Sequence, residues 1–266
     1  MQIASSIAMV TGAGSGIGEA VVRELVRREA KLVVLIDRSE QVEKVAAEIN
    51  ASASRHVAEA FVGDTTDGAF REAVFSKVCQ MYGAPRILVP AAGILRDGLA
   101  VKTNKASGDV ELYPQSLFEQ VLQVNLVAPT YWALDLIAKV AIDRKSRGLG
   151  SWKPTEPVEG AIVFIGSISS RGNRGQISYA ASKAGLRGVA STVAKEAIYF
   201  GIRSAIVHPG YVDTPMLRSM GEEMIAKHVA PSVPLGRLLR PAEIADAVCG
   251  LIANDATGGE LWVEGG

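Results

Sequence analysis

Two residues four apart, Tyr179 and Lys183, could exchange a proton with an alcohol or a carbonyl. On a helix, positions i and i+4 stand on one face, a turn apart. The spacing therefore sets an ammonium beside a phenol. A free phenol titrates near pH ~10, too high for ready exchange at neutral pH. A neighbouring cation favours the phenolate and is expected to draw Tyr179 downward, which would make the pair a general acid and base. The same spacing is common in helices that do no chemistry. The pair gains meaning only from the elements that must bring other groups to it.

Those elements read as buried strands, each ending in a turn of small or polar residues. Ser6–Val10 is a short apolar run, the pattern of a strand covered on both faces. It enters Thr11-Gly12-Ala13-Gly14-Ser15-Gly16-Ile17-Gly18, followed by the apolar helical face of Val21, Val22, Leu25 and Val26. A glycine turn between strand and helix lets backbone approach phosphate, and the helix N-terminus attracts its charge. Residues 31–36 form a second strand ending at Asp37, about 20 residues past the last glycine, where a carboxylate binds both adenosine-ribose hydroxyls. It would repel a 2′-phosphate, so Asp37 points to NAD, although Arg38 beside it softens that preference. Asp37 could instead cap the next helix, a task open also to Ser39. A third strand over 56–62 ends in Gly63-Asp64-Thr65. Asp64 there could meet the adenine amino group or close a turn.

The fourth strand, 86–89, runs into Pro90-Ala91-Ala92-Gly93, small enough for a cofactor to lie on the backbone. The fifth, 161–165, ends in Gly166-Ser167, and active groups of open α/β sheets gather at strand C-termini. A loop of about ten residues, within the range of ordinary connections, then leads to the Tyr179 helix. Residues 203–208 make a sixth strand before Pro209-Gly210, and 260–263 a last one. Between them lie helices over 39–50, 67–82, 115–144 and 241–253. Asn125 sits inside the apolar face of the third of these and could break it locally. Residues 96–114 and 146–160 are polar excursions. Met216–Val233 mixes methionines with charges, as a mobile lid or an ordinary surface helix would. The pattern predicts a single-domain α/β Rossmann fold over 1–266: a doubly wound parallel seven-stranded sheet, helices on both faces, and a substrate lid around 211–235.

Composition excludes other classes. The 266 residues are 48% hydrophobic, with 28 basic and 28 acidic side chains. No basic stripe calls for nucleic acid. Cys79 and Cys249 fit no metal or disulfide framework, and His56, His208 and His228 are scattered, each expected to be structural or exposed. No metal site is expected. No apolar run reaches the length of a membrane span, and a strand by Ile7 leaves no room for a signal peptide, so a cytoplasmic protein without membrane or nucleic-acid partners is expected.

Taken together, these residues resemble the short-chain dehydrogenase/reductase family over essentially the whole chain. The resemblance rests on Thr11-Gly12-X-X-X-Gly16-Ile17-Gly18, Asn125, Ser167, Tyr179-X-X-X-Lys183, Pro209-Gly210 with Thr214, and the closing Thr257-Gly258 and Gly265-Gly266. It implies hydride transfer to or from NAD, with Tyr179 exchanging the alcohol proton and Lys183 tuning it and holding the nicotinamide ribose. Ser167 would bond the substrate oxygen, with Ser169 a fallback, and Asn125 would hold a relay water. Gly12, Ser15, Gly16, Ile17, Asp37, Asp64, Thr65, Ala92, Gly93, Pro209 and Gly210 would line the cofactor, and Val212 and Thr214 would hold its carboxamide. The two excursions are similar to those of type II 3-hydroxyacyl-CoA dehydrogenases, while the core is also similar to β-ketoacyl reductases and to secondary-alcohol and hydroxysteroid dehydrogenases.

The implied substrate is an apolar ketone, secondary alcohol or acyl thioester, met by Leu95, Tyr211, Met216, Leu217, Met220 and Met224. Arg96, Lys102 and Lys105 would meet CoA phosphates or form a solvated face. A homotetramer or homodimer is implied. Two departures stand out: Pro90-Ala91 replaces a usual pair of asparagines, and Ala205 stands where the sixth strand usually has another. A non-catalytic dinucleotide sensor or structural subunit is the alternative of another class.

Overall fold

The computed structural model describes residues 1–105 and 107–266. Seven strands form one parallel sheet: β1 (Ile7–Thr11), β2 (Leu32–Asp37), β3 (Ala58–Val62), β4 (Ile87–Pro90), β7 (Gly160–Ile165), β8 (Ile202–Pro209) and β9 (Gly259–Val263). Their order is β3-β2-β1-β4-β7-β8-β9, so the winding reverses between β1 and β4. Helices α1 (Gly16–Arg27), α2 (Gln41–Ala53) and α9 (Pro241–Ala253) cover one face. Helices α3 (Gly68–Tyr82), α5 (Ala128–Ser146) and α6 (Ile177–Ala197) cover the other. Burial on both faces explains why β1 and β7 read as unbroken apolar runs rather than alternating ones. The expected doubly wound fold is the one observed.

Three segments differ from expectation. The run 115–144 is not one regular helix. It divides into α4 (Gln115–Leu122), a π-turn over Gln123–Val127 and α5. Asn125 sits at the middle of the π-turn, where one extra residue is absorbed and the side chain re-aimed. The run Gln115–Ser146 is long enough to span a membrane and holds an 18-residue window of mean hydropathy 1.3, where no such stretch was expected. Its Trp132, Leu136 and Val140 are fully buried against the sheet.

The excursion at 96–114 holds an antiparallel hairpin, β5 (Val101–Thr103) with β6 (Val110–Leu112). The excursion at 146–160 is pinned by Arg144, 1% exposed, which donates to Glu156, Glu159 and the Gly150 carbonyl. Residues 215–232 form short pieces rather than one amphipathic helix: α7 (Pro215–Arg218), α8 (Glu222–Met224), a π-turn and a 3₁₀ turn. Proline at 215 and 231 and glycine at 221 interrupt it.

Candidate active site

One cleft of about 680 Å³ opens at the C-terminal ends of the strands, over the β1/β4 reversal. That crevice is where open α/β sheets take ligands. At one end, β1 passes through Gly12 and Gly16, both at positive φ, into α1. Ser15 stands at the helix N-cap yet makes no side-chain cap bond. The first-turn N–H groups are thus left without a cap, and they can bind phosphate. Asp37, ending β2, accepts from Gly14 N–H at 3.0 Å through one oxygen and from Ser39 N–H at 3.0 Å through the other. It shapes the turn as well as facing the cleft. It does not cap α2; Ser39 Oγ instead accepts from the first helical N–H, that of Gln41, at 3.3 Å. Asp64 accepts from both Thr66 groups, which hold its carboxyl below the usual range. Asp64 closes a turn while lining the cleft beside Thr65.

The loss of both asparagines after β4 does not untie the turn. Thr11 replaces them: its carbonyl accepts from Ala91 N–H and its hydroxyl from Ala92 N–H, each at 3.2 Å. Asn125 then holds the next stretch from across the cleft. Its Oδ1 accepts from Ile94 N–H at 2.8 Å, and its Nδ2 donates to the Ile94 carbonyl at 3.0 Å. Asn125 is fully buried and supports the cleft through this backbone clasp.

At the other end of the cleft stand Ser167, Tyr179 and Lys183. Ser167 follows β7, and its hydroxyl accepts from Ser169 N–H at 3.0 Å while also bonding the Tyr179 phenol. Ser169 also lines the cleft, with its hydroxyl donating to Gln176 at 2.8 Å. Lys183, 5% exposed, donates from Nζ to the Ile165 carbonyl at 2.7 Å and lies 5.6 Å from the Tyr179 ring centre.

The electrostatics differ from the simple pair logic. Burial pushes the Tyr179 phenol up to about 12; the Ser167 bond opposes this and the Asp97 charge adds to it. Burial pushes the Lys183 ammonium down to about 8. Desolvation outweighs the attraction expected from i, i+4 spacing, because the chain packed around half-buried Tyr179 and buried Lys183 displaces water from both. The phenol therefore keeps its proton at neutral pH.

Pro209, Gly210, Val212 and Thr214 line the same cleft, as do Met216, Leu217 and Met220 from the segment above it. Thr214 caps α7 through Leu217 N–H and packs against Gly16. Every expected catalytic and cofactor residue lines this cleft except Asn125, which lies just behind it near Gly93; of the expected substrate contacts, Leu95, Tyr211, Met216, Leu217 and Met220 line it, whereas Met224, Arg96, Lys102 and Lys105 do not. Sequence reasoning missed Asp97, whose carboxylate accepts from Gln176 Nε2 at 3.0 Å, and Gln176 itself, one helical turn before Tyr179. The i, i+3 relation to Tyr179 was the available signal for Gln176; Asp97, in a loop, carried none. Thr11, read only as the start of the glycine motif, holds the turn after β4, and His208, expected to be structural or exposed, is fully buried beneath Ser167.

A glycine phosphate cradle at a strand reversal and a Ser–Tyr–Lys group, with Ser167 and Lys183 buried and Tyr179 half-buried, define a dinucleotide-dependent redox site on this fold. A family model for short chain dehydrogenases matches residues 6–225, and the chain belongs to that family. It is an oxidoreductase acting on CH–OH groups, and its family uses nicotinamide dinucleotides. The chain is 32% identical over 270 residues to 3-oxoacyl-[acyl-carrier-protein] reductase FabG of Escherichia coli (strain K12), covering 100% of this chain and 98% of that protein. It is 31% identical over 278 residues to (3R)-3-hydroxyacyl-CoA dehydrogenase of Canis lupus familiaris, covering 100% and 97%. A crystal structure described as ribose-5-phosphate isomerase from Brucella melitensis 16M superposes with TM-score 0.81 at 28% identity, covering 100% of this chain and 93% of that one.

Proposed function

We infer that this chain interconverts a 3-hydroxyacyl and a 3-oxoacyl thioester, with NAD(H) as the hydride carrier. One observation carries the reading: Ser167, Tyr179 and Lys183 converge at one end of a cleft whose other end is the uncapped α1 N-terminus and Asp37. The dinucleotide supplies or accepts the hydride. The chain's own groups manage the oxygen. Ser167 donates to the substrate oxygen and stabilises charge developing there. Tyr179, protonated at neutral pH, donates its proton to that oxygen as a carbonyl is reduced, and takes it back in the reverse direction. Lys183 is the nearby cation, and a lysine near pKa 8 carries charge at neutral pH while remaining able to pass a proton on. Gly12, Ser15, Gly16 and Ile17 would hold the pyrophosphate, and Asp37 the adenosine ribose. Asp64 and Thr65 would meet the adenine, Ala92 and Gly93 the central stretch, and Pro209, Gly210, Val212 and Thr214 the carboxamide end.

Residues 1–266 act as one unit in this reading, with 211–235 as the lid. Met216, Leu217 and Met220 give that lid an adaptable apolar underside, suited to an acyl chain. Tyr131, Leu134 and Ile142 on α5 and Tyr199 after α6 stay exposed, which suits a homodimer or homotetramer. Two free cysteines suit the cytoplasm.

The test is NADH and NADPH absorbance with 3-oxoacyl-CoAs, 3-hydroxyacyl-CoAs and plain secondary alcohols, beside a Tyr179→Phe control. Turnover best on the thioesters with NAD(H), abolished in the control, is the expected result. Dinucleotide binding without turnover on any of these substrates would sink the proposal.

A further inference from the structure

His208 is a buried imidazole that the chemistry above does not use. It is the penultimate residue of β8, directly before Pro209-Gly210, and is fully buried. Its Nδ1 lies 3.3 Å from Ser167 N and 3.2 Å from Ser167 O. Gly166 makes room for it, since a Cβ there would fall 2.4 Å from Nδ1. The far face of the ring stacks on Trp262 of β9, its cross-strand partner, with centres 4.0 Å apart and planes 12° apart. Over Trp262 lies the Arg171 guanidinium, 3.6 Å from the ring centre. Arg171 closes the 3₁₀ turn 168–171, and Ser167 is that turn's N-cap. The stack thus grips the Ser167 turn at both ends: His208 at its start and Arg171 at its finish.

The hydrogen bonds choose the tautomer. The Ser167 carbonyl already accepts from Ser170 N–H at 3.1 Å. The Ser167 N–H finds its acceptor in Nδ1. Nδ1 offers its lone pair to that N–H, which places the proton on Nε2; Nε2 is buried without a hydrogen-bond partner among the described residues, with Glu260 Oε2 3.5 Å away. We propose that His208, held in the Arg171–Trp262–His208 stack, is a positioning residue that fixes Ser167 opposite Tyr179, so that turnover requires the neutral Nε2–H ring. A protonated ring would carry N–H at both nitrogens and leave the Ser167 N–H without an acceptor.

The surroundings favour the neutral form. Burial pushes the imidazole below its ordinary value; the Ser167 carbonyl and Glu260 of β9 pull the other way, and Arg187 and Lys183 of α6 add to the depression. Glu260 is itself engaged by Arg187 at 3.0 Å, and Arg171 reaches Glu264 at 3.4 Å. The inference rests on Ser167 acting on substrate as read above.

The experiment measures kcat, KM and dinucleotide affinity for His208→Phe, His208→Asn, Arg171→Gln and Ser167→Ala, using a 3-oxoacyl-CoA from pH 5 to 8. His208→Phe keeps the stacked ring and loses the acceptor. Its kcat is expected to fall about tenfold or more, as for loss of a group aligning an oxyanion donor, with KM and dinucleotide affinity nearly unchanged. His208→Asn can place Oδ1 where Nδ1 stands. It should recover most of kcat and lose the acid limb of the pH profile. Arg171→Gln, at an exposed position, tests the outer tier should the Phe variant fail to fold, and a kcat drop of about twofold or more is expected there. A kcat within twofold of wild type in His208→Phe, or an acid limb persisting in His208→Asn, overturns the proposal. So does an unchanged Arg171→Gln if the Phe variant does not fold. Full turnover in Ser167→Ala would instead overturn the role of Ser167 on which the proposal stands.

Discussion

Replacing Gly18 by alanine is expected to damage both folding and dinucleotide binding, although alanine is the better helix former. A Cβ on Gly18 would lie 2.1 Å from the Gly12 carbonyl oxygen and 2.7 Å from its carbon. Ordinary contact needs about 3.5 Å, so the shortfall exceeds ~1 Å. Gly12 cannot withdraw, because it is at φ +67 and its other side already meets the Ala92 backbone. Helix α1 cannot lift freely either, with Val21, Val22 and Leu25 fully buried beneath it. Overpacking of this kind costs about 1–3 kcal/mol, and the gain in helix propensity returns about 1. A net loss near ~1 kcal/mol lowers Tm by about 2–4 °C in a chain of this size. Moving the cradle by ~1 Å also weakens charge-assisted bonds worth about 1.5–3 kcal/mol each, so Kd for the dinucleotide should rise about 10- to 100-fold. Gly250→Ala is the control: it lies in α9 with nothing within 4 Å of its added Cβ. It should raise Tm slightly and leave Kd alone. Calorimetry with fluorescence titration decides. If Gly18→Ala behaves like Gly250→Ala in both assays, the close approach of α1 to the Gly12 turn is not what shapes the cradle.

Asp37→Asn should narrow any preference for NAD over NADP. Two unit charges about 4 Å apart interact by ~1 kcal/mol in water and ~4 at a half-buried site, which corresponds to a loss of roughly 10-fold or more in the kcat/KM ratio of the two cofactors. Ser167→Ala should lower kcat about 10²–10³-fold, while Ser169→Ala, whose hydroxyl serves Gln176, should stay within several-fold; equal losses would show that the wrong serine was assigned. Lys183 gives a pH signature. Its ammonium is pushed down to about 8 from an ordinary 10.5, so between those values the unfolded chain binds more protons than the folded one. Stability should rise with pH across that window by about 3 kcal/mol in total. The raised Tyr179 works oppositely, from its ordinary 10 up to about 12, so urea midpoints for wild type and Lys183→Met are best compared from pH 8 to 9.5. A wild-type slope as flat as the variant's would contradict the burial of a titrating Lys183.

Much of the fold was legible because a doubly wound sheet writes itself locally. Each strand is an apolar run, each crossover helix has one apolar face, and the glycine turn has one physical use at that junction. The hairpin of Val101–Thr103 with Val110–Leu112 was not legible, since both three-residue strands are exposed throughout and carry no burial pattern. The π-turn was half legible: Asn125 marked the place, but the extra residue per turn is a backbone adjustment without its own signature. The long segment 215–232 was read through its methionines, while its prolines and glycine decided the local breaks.

The sequence by itself determined which groups enter the site. Tyr179, Lys183, Ser167 and the glycines are recognisable by type and spacing, because acid–base pairs and phosphate cradles each admit few residue choices. The tertiary structure decided their charge states and supports. Spacing argued for a lowered Tyr179, but desolvation depends on how much chain covers both groups, and burial raises the phenol and depresses the ammonium. Contacts between residues far apart in the chain could be known only from the packing. Thr11 holds the Ala92 N–H across 81 positions, and His208 sits under Ser167 across 41 positions. Neither is encoded by a local pattern, since what joins them is the register of parallel strands laid side by side.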